Sequence, residues 1–417
     1  MESSSRSMSI RKFEYLKHRL LEYVDRDVYL LASSMFLRRV VQGFLQIVRT
    51  IYLALIGFDP IAIGFITGVG FAISMLESAL FGLLSDRYGR KLFIAMGGLM
   101  SSIRLLLYAV SRDFWVLVIA QGIGALGEGE GAGQPVVSGY IADKVKDRVK
   151  RTHIFSLIAV TNALASTIGS LLAVMPAYFE DVLGLSKADA HIPLFWVGFV
   201  LSAISLILVS FLREYRRIPE RSVKQIIPPI STLREIAVYS LVRATDGLAM
   251  SFISSLAPLY FYLRFSIGSE DLAPIYAVAR FLPIPLYLTA PIIVKKLGYV
   301  KPLIAIRAVS GLSALCIAFS SSFELASLSL VSYMVLIEIG MPVRQAFATE
   351  IAGISTVGSL IGISNSIRTM VRSAAPIVTG YLFQLSFFDL PFAIGSSLLL
   401  LNALQFHIFY SRKGDRI

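Results

Sequence analysis

The stretch Gly82-Leu-Leu-Ser-Asp86-Arg87-Tyr-Gly89-Arg90-Lys91 separates two long apolar runs, 61–84 and 91–110. Its charges interrupt the hydrophobic sequence, and Gly89 permits a tight turn between the runs. Working outward, apolar runs bounded by charge, Pro or Gly recur along the chain. The first six lie at 28–56, 61–84, 91–110, 114–140, 153–178 and 191–212. The second six lie at 233–262, 272–294, 301–320, 325–348, 356–384 and 388–410. About 20 apolar residues suffice to cross the hydrocarbon layer as a helix. The 417 residues are 56% hydrophobic and only 16% charged, where a soluble domain carries about a quarter charged residues. Twelve helices and short loops fill this length, so no sizeable soluble catalytic domain is expected and an enzyme is not predicted.

Basic residues set the orientation. They gather in the N-terminal segment, at Arg87, Arg90 and Lys91, at Lys144 to Arg151, at Arg213 to Lys224, at Lys295, Lys296 and Lys301, and at the C-terminus. The alternate loops carry Asp59, Asp113, Glu180, Asp181, Glu270, Asp271, Glu324 and Asp389. Both termini and the central linker are therefore expected in the cytoplasm of a multi-pass cell-membrane protein. The net charge of +12 belongs to these loops and to lipid, not to nucleic acid. One cysteine, Cys316, and four scattered histidines predict no disulfide, metal or cofactor. Residues 1–27 lack a signal-peptide core. Ile10, Phe13, Leu16, Leu20 and Val24 fall near one face of a possible helix, which suits either the headgroup layer or a basic tail.

The opening stretch matches in full the loop 2–3 signature Gly-x-x-x-Asp-Arg-x-Gly-Arg-Lys of the major facilitator superfamily, and the chain resembles that family over about 30–410. The resemblance implies an all-α membrane protein of twelve helices in two six-helix bundles. The expected division is a basic segment 1–27, a bundle 28–212, a linker 213–232, a second bundle 233–410 and a tail 411–417. It also implies a cytoplasmic gate formed by Gly82, Asp86, Arg87, Gly89, Arg90 and Lys91, with Asp86 near the start of span 11.

An internal repeat supports two halves. Arg39-Val-Val-Gln42-Gly43 recurs as Arg243-Ala-Thr-Asp246-Gly247. Pro135 and Asp143 answer to Pro342 and Glu350, Asn162 to Asn365, and Gly89 to Gly298. Such halves place a substrate site between them near the membrane midplane.

Ionisable residues inside spans are costly and mark pathways. Arg39, Gln42, Arg243 and Asp246 fall 10–13 residues into spans 1 and 7, near mid-membrane, with each polar pair on one helix face. A guanidinium suits a bidentate carboxylate or phosphate. These residues, with Gln121, Asn162, Arg280, Asn365 and Arg368, are the candidate substrate-binding set. The alternative is an arginine–carboxylate network that only joins helices. Arg38 points away from Arg39, within reach of Glu77, and Arg307 is expected to snorkel to the cytoplasmic surface. Arg344 resembles a family packing position near the gate. Span 4 contains Gly122, Gly124 and Gly127, a formal dinucleotide fingerprint. No strand precedes it, so these glycines read as close helix packing. Glu128, Glu130 and Asp246 are the candidate proton carriers.

The expected function is secondary active transport of a small organic anion by a monomer coupled to protons or another ion. A multidrug exporter is the first alternative, and a non-transporting receptor or scaffold the second. Span 5 lacks the proline of the drug–proton antiporter motif, and no Walker A sequence is present.

Overall fold

A computed structural model describes residues 25–124, 134–145, 147–214 and 230–414. No strand occurs among them. The first half comprises α1 (Arg26–Leu55), α2 (Pro60–Tyr88), α3 (Arg90–Val110), α4 (Phe114–Ile123), α5 (Gln134–Lys144), α6 (Arg148–Leu172), α7 (Met175–Leu183) and α8 (Ile192–Ser210). The second half comprises α9 (Ile230–Ser254), α10 (Ala257–Phe265), α11 (Ser269–Phe281), α12 (Pro283–Leu286), α13 (Ala290–Leu297), α14 (Val300–Ala318), α15 (Phe323–Arg372), α16 (Ala374–Gln384) and α17 (Leu390–Gly414).

Eight helical stretches among the described residues are long and apolar enough to cross a membrane. Expected span 1 falls outside that set because arginines interrupt its hydropathy. Other spans are broken by proline, which removes a backbone donor and clashes with the preceding turn. Pro176 and Pro258 open α7 and α10 after such breaks. Pro283, Pro285 and Pro291 divide expected span 8 into α11, α12, a short 3-10 turn and α13.

Where a loop is expected between spans 10 and 11, helical backbone instead continues through α15. This helix is not straight. The Ser254 hydroxyl donates to Tyr333 Oη at 3.3 Å, and the Ser251 hydroxyl donates to the Arg372 carbonyl at 2.9 Å. Both partners thus meet one turn of α9, although a straight helix would separate them by about 58 Å. The chain therefore doubles back between them.

The two halves pack by one plan. In the first, α1 lies against α6 and α8, and α3 against α8. In the second, α9 lies against α15 and α17, and α14 against α17. The repeated glycines occupy matching places. A Cβ on Gly43 would come within 2.7 Å of the Gly169 Cα, so α1 and α6 touch backbone to backbone. A Cβ on Gly247 would come within 2.8 Å of the Arg368 carbonyl oxygen across α9 and α15. Gly89 and Gly298 end their helices at φ of 104° and 69°.

The signature-loop side of the first half is tied by charge. The Glu214 carboxylate accepts from the Arg90 and Lys91 amides at 2.9 and 3.1 Å, closing the N-terminus of α3, where exposed donors and the helix dipole favour an anion. Arg90 pairs with Asp143. Lys144 pairs with Asp25 at 2.8 Å and Asp27 at 2.6 Å. The Lys144 hydrogen bond holds the Asp25 carboxyl below its ordinary value.

The described contacts between halves lie on the opposite side. The α2 segment from Pro60 to Gly68 meets α16 and the end of α15. There a Cβ on Gly64 would lie 3.2 Å from the Gly380 Cα, and one on Gly68 2.8 Å from the Ser373 carbonyl oxygen. Arg280 of α11 crosses to the first half. It donates to the Gly43 and Ser166 carbonyls at 3.1 and 3.0 Å, to the Ser170 hydroxyl at 2.6 Å, and to Gln46.

Gly89→Ala is expected to destabilise the protein more than Gly57→Ala. Both positions have φ near +100°, but a Cβ at Gly57 meets open space while one at Gly89 meets the Glu214 carboxylate at 3.0 Å. Backbone strain alone costs about 1–3 kcal/mol. Thermal unfolding of the two purified variants measures the difference, and equal losses would show that Glu214 yields freely.

Candidate functional site

The spacing Arg-x-x-Asp puts Arg243 and Asp246 on adjacent turns of one α9 face. Their side chains meet, with Arg243 Nη1 3.1 Å from Asp246 Oδ2. Three further arginines converge on the same carboxylate. Arg307 Nη2 of α14 lies 2.7 Å from Oδ1, Arg344 Nη1 of α15 lies 3.1 Å from Oδ2, and Arg368 Nε of α15 lies 3.6 Å from Oδ2. The Asp246 side chain is 2% exposed. Four guanidiniums around one carboxylate leave a local excess of three positive charges. Glycine at 247 allows the arrangement, since a Cβ there would stand 2.5 Å from Arg368 Cγ. Arg243 Nη2 also donates to Asn365 Oδ1 at 2.8 Å.

The cluster joins three of the candidate residues, Arg243, Asp246 and Arg368, and Asn365 beside them. It adds two that the sequence reading had placed elsewhere. Arg307 does not snorkel, because its side chain is 3% exposed and bound to Asp246. Arg344 is more than a packing residue, since it shares that carboxylate. The available signal was depth: Arg307 stands two turns inside α14. Hydropathy cannot tell an arginine that reaches the surface from one that meets a carboxylate on another helix.

The remaining candidates are distributed more widely. Arg39 and Gln42 are half-buried on α1, and Asn162 is half-buried on α6. Gln121 is buried on α4, where Gly70 of α2 makes room for it: a Cβ there would meet the amide at 2.7 Å. Its Oε1 accepts from Tyr108 Oη at 3.4 Å. Arg104 is fully buried, and a Cβ on Gly124 would collide with it. Span 4 glycines thus admit large polar side chains. Arg280 directs its donors to protein acceptors across the halves. Arg38 turns to Ser205 Oγ and the Ile94 carbonyl, both at 2.9 Å, rather than to Glu77. Glu128 and Glu130 lie outside the described residues. The backbone places Gly82 and Asp86 in the last turns of α2, followed by Arg87, Gly89, Arg90 and Lys91. No group of three potential metal ligands occurs among the described residues.

The model of the Major Facilitator Superfamily matches residues 31–343. The chain belongs to the Major Facilitator Superfamily. It is a membrane transporter of some solute, not an enzyme, and its all-α fold is that of the superfamily. It is 23% identical to the uncharacterized membrane protein YJR124C of Saccharomyces cerevisiae, over 90% of this chain and 92% of that one. It is 30% identical to the quinolone resistance protein NorA of Staphylococcus aureus over 170 residues, covering 39% of this chain and 43% of NorA. Among solved structures, a single-site mutant of the nucleoside transporter NupG superposes with a TM-score of 0.74 at 13% identity, covering 92% of this chain and 100% of that one. The human organic anion transporter MFSD10 superposes with a TM-score of 0.63 at 17% identity, covering 91% of this chain and 99% of that one.

Asp246→Asn in this transporter leaves three buried arginines and the half-buried Arg368 without their shared counter-ion. Removing one partner of a buried ion pair costs about 3–5 kcal/mol, so the variant is expected to lose thermal stability. Arg307→Gln in the Asp246→Asn background should restore part of the loss. Thermal unfolding of both purified variants checks this, and wild-type stability in Asp246→Asn would show that the cluster needs no counter-ion.

Proposed function

We propose that this transporter moves a small organic anion across the cell membrane by alternating access, driven by protons. The observation that carries this reading is the buried cluster at Asp246, where arginine outnumbers carboxylate four to one. Surplus guanidinium charge inside a membrane protein favours an anionic partner, and the planar fork suits carboxylate or phosphate. The likeness to an organic anion transporter fits the reading without fixing a substrate. In this proposal the transporter acts as a monomer, with both termini and the signature loop in the cytoplasm.

The same orientation makes the described state inward-facing. The α2–α16 contact and Arg280 then close the external side, and Asp86 with its loop closes the cytoplasmic side in the alternate state. Glu128 takes the coupling proton. Asp246 serves instead as a standing counter-ion, since a proton there would leave four guanidiniums facing one another.

A second reading, multidrug export, is favoured by the partial likeness to NorA. A thermal-shift panel of anionic, neutral and cationic compounds separates the two. Stabilisation by anions alone is expected, and stabilisation by cationic dyes alone would favour export of drugs. Coupling is tested in proteoliposomes. Glu128→Gln should retain anion exchange but lose accumulation driven by a pH gradient, and unchanged accumulation would remove Glu128 from coupling.

A further inference from the structure

We infer that the cluster receives a small dianion, a dicarboxylate or a phosphate ester, with Arg368 and Asn365 as its ligand-facing residues. This rests on the organic-anion reading and narrows it. A cluster serving only to join helices would satisfy its own donors. Here Arg307 Nε and Nη1 and Arg368 Nε are buried without a hydrogen-bond acceptor among the described residues. Arg307 is nine-tenths buried and more, at 3% side-chain exposure. Buried donors left unmade cost free energy, more so when charged.

The four arginines are not equivalent. Arg243, Arg307 and Arg344 have side chains 3–9% exposed, and each has a contact to Asp246 at 3.1 Å or less. Arg368 is 17% exposed, its approach to Asp246 is 3.6 Å, and among the described residues its Nη2 donates to the thioether of Met250 at 3.4 Å. A thioether is a weak acceptor. Arg368 is thus the most accessible member and the one farthest from Asp246. Asn365, one turn before it, is exposed. Its Oδ1 is used by Arg243, which leaves its amide N–H groups to donate outward. Arg372, one turn beyond, lies over the Phe71 ring of the other half at 4.4 Å. The two halves therefore meet beside the exposed edge of the cluster.

Charge decides the valence. A monoanion would leave two positive charges uncompensated in a low-dielectric site, and a dianion leaves one. Each buried uncompensated charge is costly, so the second negative charge should contribute strongly to affinity.

The test is calorimetric binding to the full-length purified protein. Its probes are succinate, monomethyl succinate, glycerol phosphate and ethidium. The two succinates match in shape and differ by one charge. Succinate or glycerol phosphate should bind at least about tenfold more tightly than monomethyl succinate, as expected for a charge-assisted contact, and whichever binds identifies the dianion. Arg368→Gln should abolish that binding, and Arg368→Lys should weaken it because the fork is lost. Should Arg368→Gln fail to fold, Asn365→Leu at the exposed position must still weaken dianion binding. Equal affinity for the two succinates, or unchanged affinity in folded Arg368→Gln, overturns the dianion site while leaving the organic-anion reading intact. Binding of ethidium with no anion bound overturns both.

Discussion

A charge inside a membrane has no water to dilute it, so it must find its partner within the protein. Asp246 is the place where this constraint organises the second half. Its carboxylate gathers Arg243 from its own helix, Arg307 from α14, and Arg344 and Arg368 from α15. Helices that would slide freely in an apolar bundle are thereby held in one register. Apolar packing closes the layers around them, with Tyr239, Phe347, Phe406 and Tyr410 on one side of the hub and Tyr260, Phe261 and Phe392 on the other. The imbalance of four cations to one anion links architecture to function. What holds the helices together also leaves positive charge for a ligand.

The first half answers the same constraint differently. Its ionic ties stand at its two ends: at the signature-loop end Arg90 meets Asp143, Lys144 meets two aspartates, and Glu214 covers the start of α3, and at the other end Arg112 meets Asp189. Deeper in, Arg38 is satisfied by hydroxyls and a backbone carbonyl from α1, α3 and α8. The halves thus share a packing plan but not a charge plan. Contacts between them include close backbone approach at Gly64, Gly68 and Gly380, the long side chains of Arg280 and Arg372, and a shared apolar core to which Phe44 and Ile63 contribute from one half and Ile253 and Tyr260 from the other.

Much of this was legible beforehand. The signature Gly82 to Lys91 announced the family, and apolar run lengths announced eight of the twelve expected spans among the described residues. The repeat of Arg39 to Gly43 as Arg243 to Gly247 announced two halves, and both glycines take corresponding contacts. Arg243, Asp246, Asn365 and Arg368 were all singled out, and the structure gathers them. Arg307 and Arg344 were misplaced because local hydropathy sees a charge and its depth, but not which carboxylate another helix brings near. The repeat aligns Arg39 with Arg243 and Gln42 with Asp246. Repetition preserves backbone position, but it puts the neutral Gln42 in one copy where the other has Asp246 with its four arginines.

The sequence by itself determined that the chain crosses the membrane repeatedly, that it is built twice over, and that arginine exceeds carboxylate within the spans. Those properties follow from segment length, periodicity and composition, each of which is local. Only the tertiary structure decided that four of those arginines share one aspartate, that Arg280 reaches into the other half, and that α15 doubles back on itself. Side chains far apart along the chain become neighbours only when helices pack. In a low-dielectric interior, that packing alone determines which charge neutralises which.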